Sequence, residues 1–283
     1  MKQESVKRDI QLLKERSQWL RKELFELVMR TKKGHVPSSY SCAEILVALF
    51  YGGYLRFDSK DPRSPTRDRL IISKGHAAMA LYPILADFGY YSKDELLKFT
   101  KSNGILRFYP DNSIPGIESI TGSLGHGLGI GCGYGYAAKT DGLHYRSFVV
   151  VSDGECYEGS VWETALFASH YQLDNVVAIV DRNGLCIMDE TENCVRLDPL
   201  EEKWKAFGWD TVAINGHSYK EILPALDRAV ANSSGKPLAI ISNSVKGKGI
   251  SFMESKARWH NKMPNDEEMA RAREELMVNC ILD

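Results

Sequence analysis

Long apolar runs are missing from this 283-residue sequence. None approaches the roughly 18 residues that a spanning helix needs, so no membrane span is expected. The first ten residues, MKQESVKRDI, carry charges where a secretory leader would carry an apolar stretch, so no leader is expected either. An excess of charge of one sign is also missing. The formal net charge is −1, which speaks against a nucleic-acid-binding or membrane-surface protein. Six cysteines, at 42, 132, 156, 186, 194 and 280, include no CxxC pair. Structural zinc needs tighter pairs, so reduced thiols in a cytoplasmic protein are expected. The dinucleotide fingerprint GxGxxG is absent as well. The nearest approach, Gly133-x-Gly135-x-x-Ala138, follows no strand, which argues against a nicotinamide-dependent oxidoreductase. There are no repeats, no low-complexity tract and no convincing domain boundary, so a single domain over residues 1–283 is expected.

What is present alternates. Residues 3–31 keep apolar positions at three-to-four spacing and stop before Gly34, which predicts a long helix. Further helices are expected at 42–50, 77–88, 158–171, 199–207 and 218–232. Ser92 with Glu95, and Ser218 with Glu221, have capping-box spacing. Short β-rich runs lie at 69–73, 147–151, 176–180, 211–214 and 238–242. Continuous apolar strands separated by helices predict an α/β fold, a parallel sheet flanked by helices on both faces. Ligands of such sheets bind beyond the carboxyl ends of the strands. Residues 102–122 and 243–264 are expected to be long loops, a length that favours functional segments.

Two strand tips draw the chemistry. SFVVV runs into Ser152-Asp153-Gly154, and VVAIV runs into Asp181-Arg182-Asn183-Gly184 about thirty residues later. If these strands are neighbours, a carboxylate, an amide oxygen and a backbone carbonyl meet at one sheet edge. That oxygen-only set suits Mg2+, which usually completes its shell with phosphate oxygens. Gly154 would let a diphosphate approach the following helix. The plainer alternative makes Asp153 a helix cap and Asn183-Gly184 a turn.

These residues resemble the thiamine-diphosphate motif, GDG followed by Asn, with Ser152 in place of the first glycine. Longer stretches strengthen the likeness: SKGHAAMALYPIL, GIESITGSLGHGLGIGCGYGYAAK, EKWKAFGWD and VKGKGISFME…WHNK. Together they resemble the amino-terminal part of transketolases over about residues 10–265, and most of all the N-terminal subunit of split bacterial enzymes. The resemblance implies a thiamine-diphosphate-binding fold, with residues 1–283 forming the diphosphate-side domain plus an N-terminal helix and a C-terminal extension. It implies that Asp153, Asn183 and the carbonyl of Leu185 hold Mg2+. It places His76, Gly122, Ser123, Leu124, Gly154, Glu158, Asn183, Ile187, Lys246 and His260 at the cofactor, with Glu158 in a carboxylate network between cofactor sites. It makes His35 and His260 the catalytic residues, with Ser38 assisting. His126 has a counterpart but no assignable role. The glycines from 125 to 135 are expected to allow close helix packing in a buried segment, at a subunit interface.

The pattern breaks at the substrate. The family carries GHP where this chain has Phe108-Tyr109-Pro110, and GHPG becomes Gly34-His35-Val36-Pro37. Tyr109 can donate a hydrogen bond but, with a phenol pKa about 10, is a poor base. A branched, deoxy or otherwise modified ketose phosphate is the expected donor. The chain ends before the domain that carries the activating glutamate of transketolases, so a second subunit in an α2β2 assembly is expected to supply it. The expected reaction is transfer of a two-carbon ketol unit to an aldose. The alternatives are a related thiamine-diphosphate activity, such as that of deoxyxylulose-phosphate synthase or dihydroxyacetone synthase, and a non-catalytic binding subunit.

Overall fold

A computed structural model of the protein describes residues 9–187 and 189–278. Its centre is a five-stranded, all-parallel sheet in the order β1-β2-β3-β5-β4. The strands are β1 (Arg69–Ile72), β2 (Ser147–Ser152), β3 (Val176–Arg182), β4 (Asp210–Asn215) and β5 (Leu238–Asn243). Both faces are covered, and the two-residue period of the strands divides their side chains. Phe148, Val150, Val177 and Ile179 enter one core, while Val149, Val151, Ala178 and Val180 enter the other. That division explains why the strands read as unbroken apolar runs.

The first core is built by α1 (Ile10–Thr31), α2 (Val36–Tyr40), α3 (Ala43–Tyr51) and α4 (Leu81–Asp87). The second receives α5 (Gly127–Thr140), α6 (Gly159–His170), the short α7 (Thr191–Cys194) and α8 (Leu200–Ala206) near it. Two later helices, α9 (Tyr219–Ala231) and α10 (Asp266–Val278), return to the first core through Ile222, Leu226, Ala272 and Leu276. Each fully buried Leu, Ile or Val contributes about 1.5–3 kcal/mol.

Several expectations shift in detail. Asp9 caps α1, its carboxylate accepting from the N–H groups of Gln11 and Leu12; residues 3–8 of the expected helix lie outside those described. The helix expected at 77–88 opens as a 3₁₀ turn, Gly75–Ala80, before α4 begins. Ser92 does accept from Asp94 N–H, but Glu95 turns to Lys98 and to Ile105 N–H, so the reciprocal half of that box is not made. Ser218 makes no side-chain cap, because Glu221 accepts from Asn215 N–H instead.

The glycines of α5 have a definite geometry. A Cβ at Gly131 or Gly135 would stand 2.3 Å from Val149 or Val176, and one at Gly127 would stand 2.4 Å from Ser73. Spaced by four, these three press α5 onto the sheet. Gly129 and Gly133 face away, so the segment is buried along one stripe rather than throughout.

Candidate cofactor and metal site

Four strand tips converge. The turn after β1 carries Lys74 and His76, the tip of β2 carries Asp153, that of β3 carries Asp181 and Asn183, and β5 leads into Ser244 and Lys246. The register aligns Ser152 with Asp181, so β2 and β3 are the neighbours that the metal reading needs. Gly184 N–H donates to Asp153 Oδ2 at 2.6 Å, which folds the Asn183–Leu185 turn over the carboxylate. Asp153 Oδ1 accepts from Gly154 N–H at 2.8 Å. The capping alternative is thus also true of Asp153; Oδ2 accepts from Arg182 Nη1 as well, at 3.3 Å, which leaves Oδ1 the lone pair for another partner.

Asn183 is oriented by its surroundings. Its amide nitrogen donates to Asp181 Oδ2 at 3.2 Å, which turns Oδ1 the other way, where it accepts from Leu185 N–H. Asp181 lies beneath as a buried anchor. It accepts from Lys74 Nζ, Ser41 Oγ, Ser244 Oγ and Asn183, linking α2, β1, β3 and β5 at one carboxylate. Burial opposes its charge, yet Lys74 and these donors hold its pKa below the ordinary value.

Asp153 is the opposite case. Burial and the neighbouring Asp181 charge push its pKa up, against the Gly184 and Gly154 N–H groups and Arg182. It is a buried carboxylate whose ion pair with Arg182, at 3.3 Å, does not offset the burial. Among the described residues no three His, Cys, Asp and Glu side chains converge as a metal cluster, so a cation here would rely on Asp153, the Asn183 amide oxygen and main-chain carbonyls.

Beside it stands a basic group in the converse state. The rings of His35, His76 and His260 form a triangle with centroids 5.0–5.4 Å apart. Lys246 Nζ is 3.0 Å from His260 Nδ1. Burial first, then the nearby Lys74 charge, lowers Lys246 to about 8. Burial and Lys246 lower His260 to about 3, and burial also lowers His35 and His76. The site therefore sets a buried carboxylate beside a largely buried basic cluster. A magnesium–diphosphate pair would satisfy both.

Gly154 fits the same reading. A Cβ there would meet Cys186 Cβ at 3.5 Å and nothing nearer, so packing within the chain does not demand glycine. Close approach of a bound group would. Ser38 Oγ, buried near Lys74, has no hydrogen-bond partner.

The tautomers follow from the partners. A carbonyl can only accept, so His35 Nδ1, 2.9 Å from His260 O, carries the proton and leaves Nε2 as a base. Protonated Lys246 donates to His260 Nδ1, which leaves the His260 proton on Nε2 as a donor. Phe108 packs on His35 at 5.7 Å, and Tyr109 packs on Phe108 at 4.9 Å with 42% of its surface exposed. Gly122 lies under the Tyr109 ring.

Comparison with known proteins gives these residues a family. Residues 14–280 match the model for the transketolase, thiamine diphosphate binding domain. The chain belongs to the transketolase family. It is 39% identical over 93% of its length, and 93% of the relative's, to an apulose-4-phosphate transketolase subunit of Phocaeicola vulgatus. It is 39% identical to 6-deoxy-6-sulfo-D-fructose transketolase subunit SqwG of Clostridium sp., covering 89% of this chain and 91% of that one. The crystal structure of transketolase from Campylobacter jejuni superposes with a TM-score of 0.89 at 29% identity, covering 97% of this chain and 44% of that one. The chain spans only 40% of human transketolase, at 39% identity. As a transketolase-family chain it falls among the transferases, and its cofactor is thiamine diphosphate.

The remaining expected residues are more dispersed. Gly122 and Ser123 are exposed, Leu124 is half-buried, and Ile187 is 63% exposed at the loop tip. Glu158 is exposed at the start of α6, against Gly125. His126 is exposed at the start of α5, and no contact in the structure explains it. Sequence reasoning missed Lys74, Asp181 and Glu155. Glu155 accepts from Ser73 Oγ, from Gly125 N–H at 2.8 Å and from Ser152 N–H at 3.1 Å, tying the Gly122–Gly125 loop to the tip of β2. The available signal for Lys74 and Asp181 was a charged residue directly after the apolar runs 69–73 and 176–180; Glu155 had no such signal.

Proposed function

We propose that this chain is the diphosphate-binding subunit of a two-chain transketolase that moves a two-carbon ketol unit from a modified ketose phosphate to an aldose. The observation that carries the proposal is geometric: β2 and β3 pair so that Asp153 meets the Asn183–Leu185 turn, beside the triangle of His35, His76 and His260 with Lys246 on His260. Asp153, the Asn183 amide oxygen and the Leu185 carbonyl would hold Mg2+. His76, Gly154, Lys246 and His260 would receive the diphosphate, with Gly122, Ser123, Leu124, Glu158 and Ile187 nearer the rings. Bound thiamine diphosphate supplies the nucleophilic carbon and electron sink that breaking a carbon–carbon bond beside a carbonyl requires. His35 Nε2 accepts a hydroxyl proton, and His260 Nε2–H donates to a substrate oxygen.

Relatives matched over nearly their full length are named as subunits of transketolases, and their names specify apulose-4-phosphate and 6-deoxy-6-sulfo-D-fructose. Those names, with Phe108 and Tyr109 beside His35, favour a modified sugar here. A second chain would supply the activating glutamate in an α2β2 assembly. The exposed Tyr136, Leu166, Phe167 and Tyr171 on α5 and α6 offer an apolar face for such assembly. Among the described residues no helix is long and apolar enough to cross a membrane. The lack of CxxC pairs in the sequence supports our reading of a cytoplasmic enzyme. We treat residues 1–283 as one domain.

The test is co-purification with the matching second chain, then a donor screen with thiamine diphosphate and Mg2+. Turnover of a modified ketose phosphate supports the proposal. Turnover of pyruvate alone would favour a deoxyxylulose-phosphate synthase-like enzyme, and no turnover with any donor would favour a non-catalytic role.

A further inference from the structure

The loop after β3 carries chemistry that ketol transfer does not use. Cys186 and Cys194, eight residues apart, bring their sulfurs to 3.2 Å. A small hairpin makes this possible: Leu185 bridges Glu190, Cys186 N–H donates to Asp189 O at 3.0 Å, and Thr191 N–H donates to Gly184 O at 2.9 Å. Cys194 is exposed and Cys186 partly so, whereas Cys42, Cys132 and Cys156 are buried at 1–2% exposure. Cys280 lies outside the described residues.

We propose that Cys186 and Cys194 are a thiol pair that hydrogen peroxide converts to a reversible disulfide, and that this bond weakens cofactor binding. The exposed Cys194 sulfur attacks one peroxide oxygen, giving a sulfenic acid and one water. The Cys186 sulfur then displaces that oxygen as a second water and forms the S–S bond. Two thiols lose two electrons and two protons, and one peroxide becomes two waters.

The consequence rests on the cofactor site proposed above; the disulfide itself does not. The sulfurs must close from 3.2 Å to about 2.0 Å, which draws the Cys186 and Cys194 side chains together and restrains the hairpin between them. Cys186 follows Leu185 directly, and its Cβ is the wall facing Gly154. Arg182 ties the far side of the hairpin back to Asp153, donating to Thr191 Oγ1 at 2.6 Å and pairing with Glu192 at 2.9 Å. Magnesium demands near-ideal octahedral geometry, so displacement of one candidate ligand turn is poorly tolerated.

The test uses the full-length chain, reduced and then treated with one equivalent of hydrogen peroxide. The remaining thiols are alkylated and the protein is digested with trypsin. No Lys or Arg lies between Arg182 and Arg196, so both cysteines fall in the peptide 183–196. The expected peptide is unalkylated, lighter by two hydrogens, and restored by a thiol reductant; Cys194→Ser shows no such loss. Alkylation of both residues, oxygen added at either cysteine (fragmentation separates this from Met188 sulfoxide in the same peptide), or linkage to a different cysteine overturns the pair. Calorimetric titration with thiamine diphosphate and Mg2+ is expected to show binding weakened about tenfold or more in oxidised wild type. Reduced wild type and peroxide-treated Cys194→Ser bind equally. Unchanged affinity in a chain carrying the disulfide overturns the regulatory effect. Failure of reduced wild type to bind contradicts the cofactor assignment, and the peptide measurement still decides the thiol pair.

Discussion

Replacing Lys246 by Met should make the empty protein more stable and a poorer cofactor binder. Lys246 is 3% exposed, and its pKa is lowered from 10.5 to about 8 by burial, then by Lys74. Below about pH 8 both folded and unfolded chains hold the proton, so the full cost of burying that charge is present. Between about 8 and 10.5 the unfolded chain binds more protons, and stability rises with pH. At 1.36 kcal/mol per pKa unit, the cost near pH 7 is about 3 kcal/mol. Methionine also leaves His260 Nδ1 without its donor, a loss of about 1 kcal/mol. The net gain of about 2 kcal/mol corresponds to roughly 3 °C in Tm for a chain of this size. A charged hydrogen bond to the diphosphate, about 1.5–3 kcal/mol, would be lost, so thiamine diphosphate should bind about 10–100-fold more weakly. Scanning calorimetry of the empty chain and titration calorimetry of the complex read the two effects. A lower Tm, or unchanged affinity, would refute the idea that Lys246 is held uncharged-prone for an anion.

Lys74→Met strands Asp181 as an uncompensated buried charge and should cost about 3–5 kcal/mol in urea denaturation, much of it recovered by adding Asp181→Leu. Acid should destabilise the empty chain early. His260, held at about 3 against 6.5 unfolded, binds fewer protons folded than unfolded in that window, so its contribution is intact above about 6.5 and falls toward pH 3. His260→Gln should flatten that slope in denaturation curves taken at pH 7 and pH 5. Tyr109→His should raise the ratio of unmodified to modified ketose phosphate turnover by about tenfold, the worth of one substrate hydrogen bond; an unchanged ratio removes Tyr109 as the selective residue.

The sheet was legible because its strands are buried on both faces and carry apolar runs of three to five residues. Its strand order was not, since nothing local in β4 says that β5 will insert between it and β3. The turn of Val36–Tyr40 was hidden by Pro37, which reads as a breaker yet sits where a helix start tolerates it. Capping boxes misled because Glu95 and Glu221 found other N–H groups. At the site, Asp153 and Asn183 were reached from the strand tips, and His76 and His260 from the family resemblance. Lys74, Asp181 and Glu155 were not, because a buried ion pair and a solvated charge look alike in a string of letters.

Titration of thiamine diphosphate into the chain with its second subunit, with Mg2+ and then with the metal chelated, tests the site most directly when repeated on Asp153→Asn. The amide is nearly isosteric, but its NH2 cannot accept from the Gly154 N–H or from the Gly184 N–H and Arg182, so Tm should fall modestly while the chain stays folded. Saturable binding should require Mg2+ in wild type and be lost in the variant. Equal affinity without metal, or in Asp153→Asn, would contradict a divalent ion held at the tips of β2 and β3.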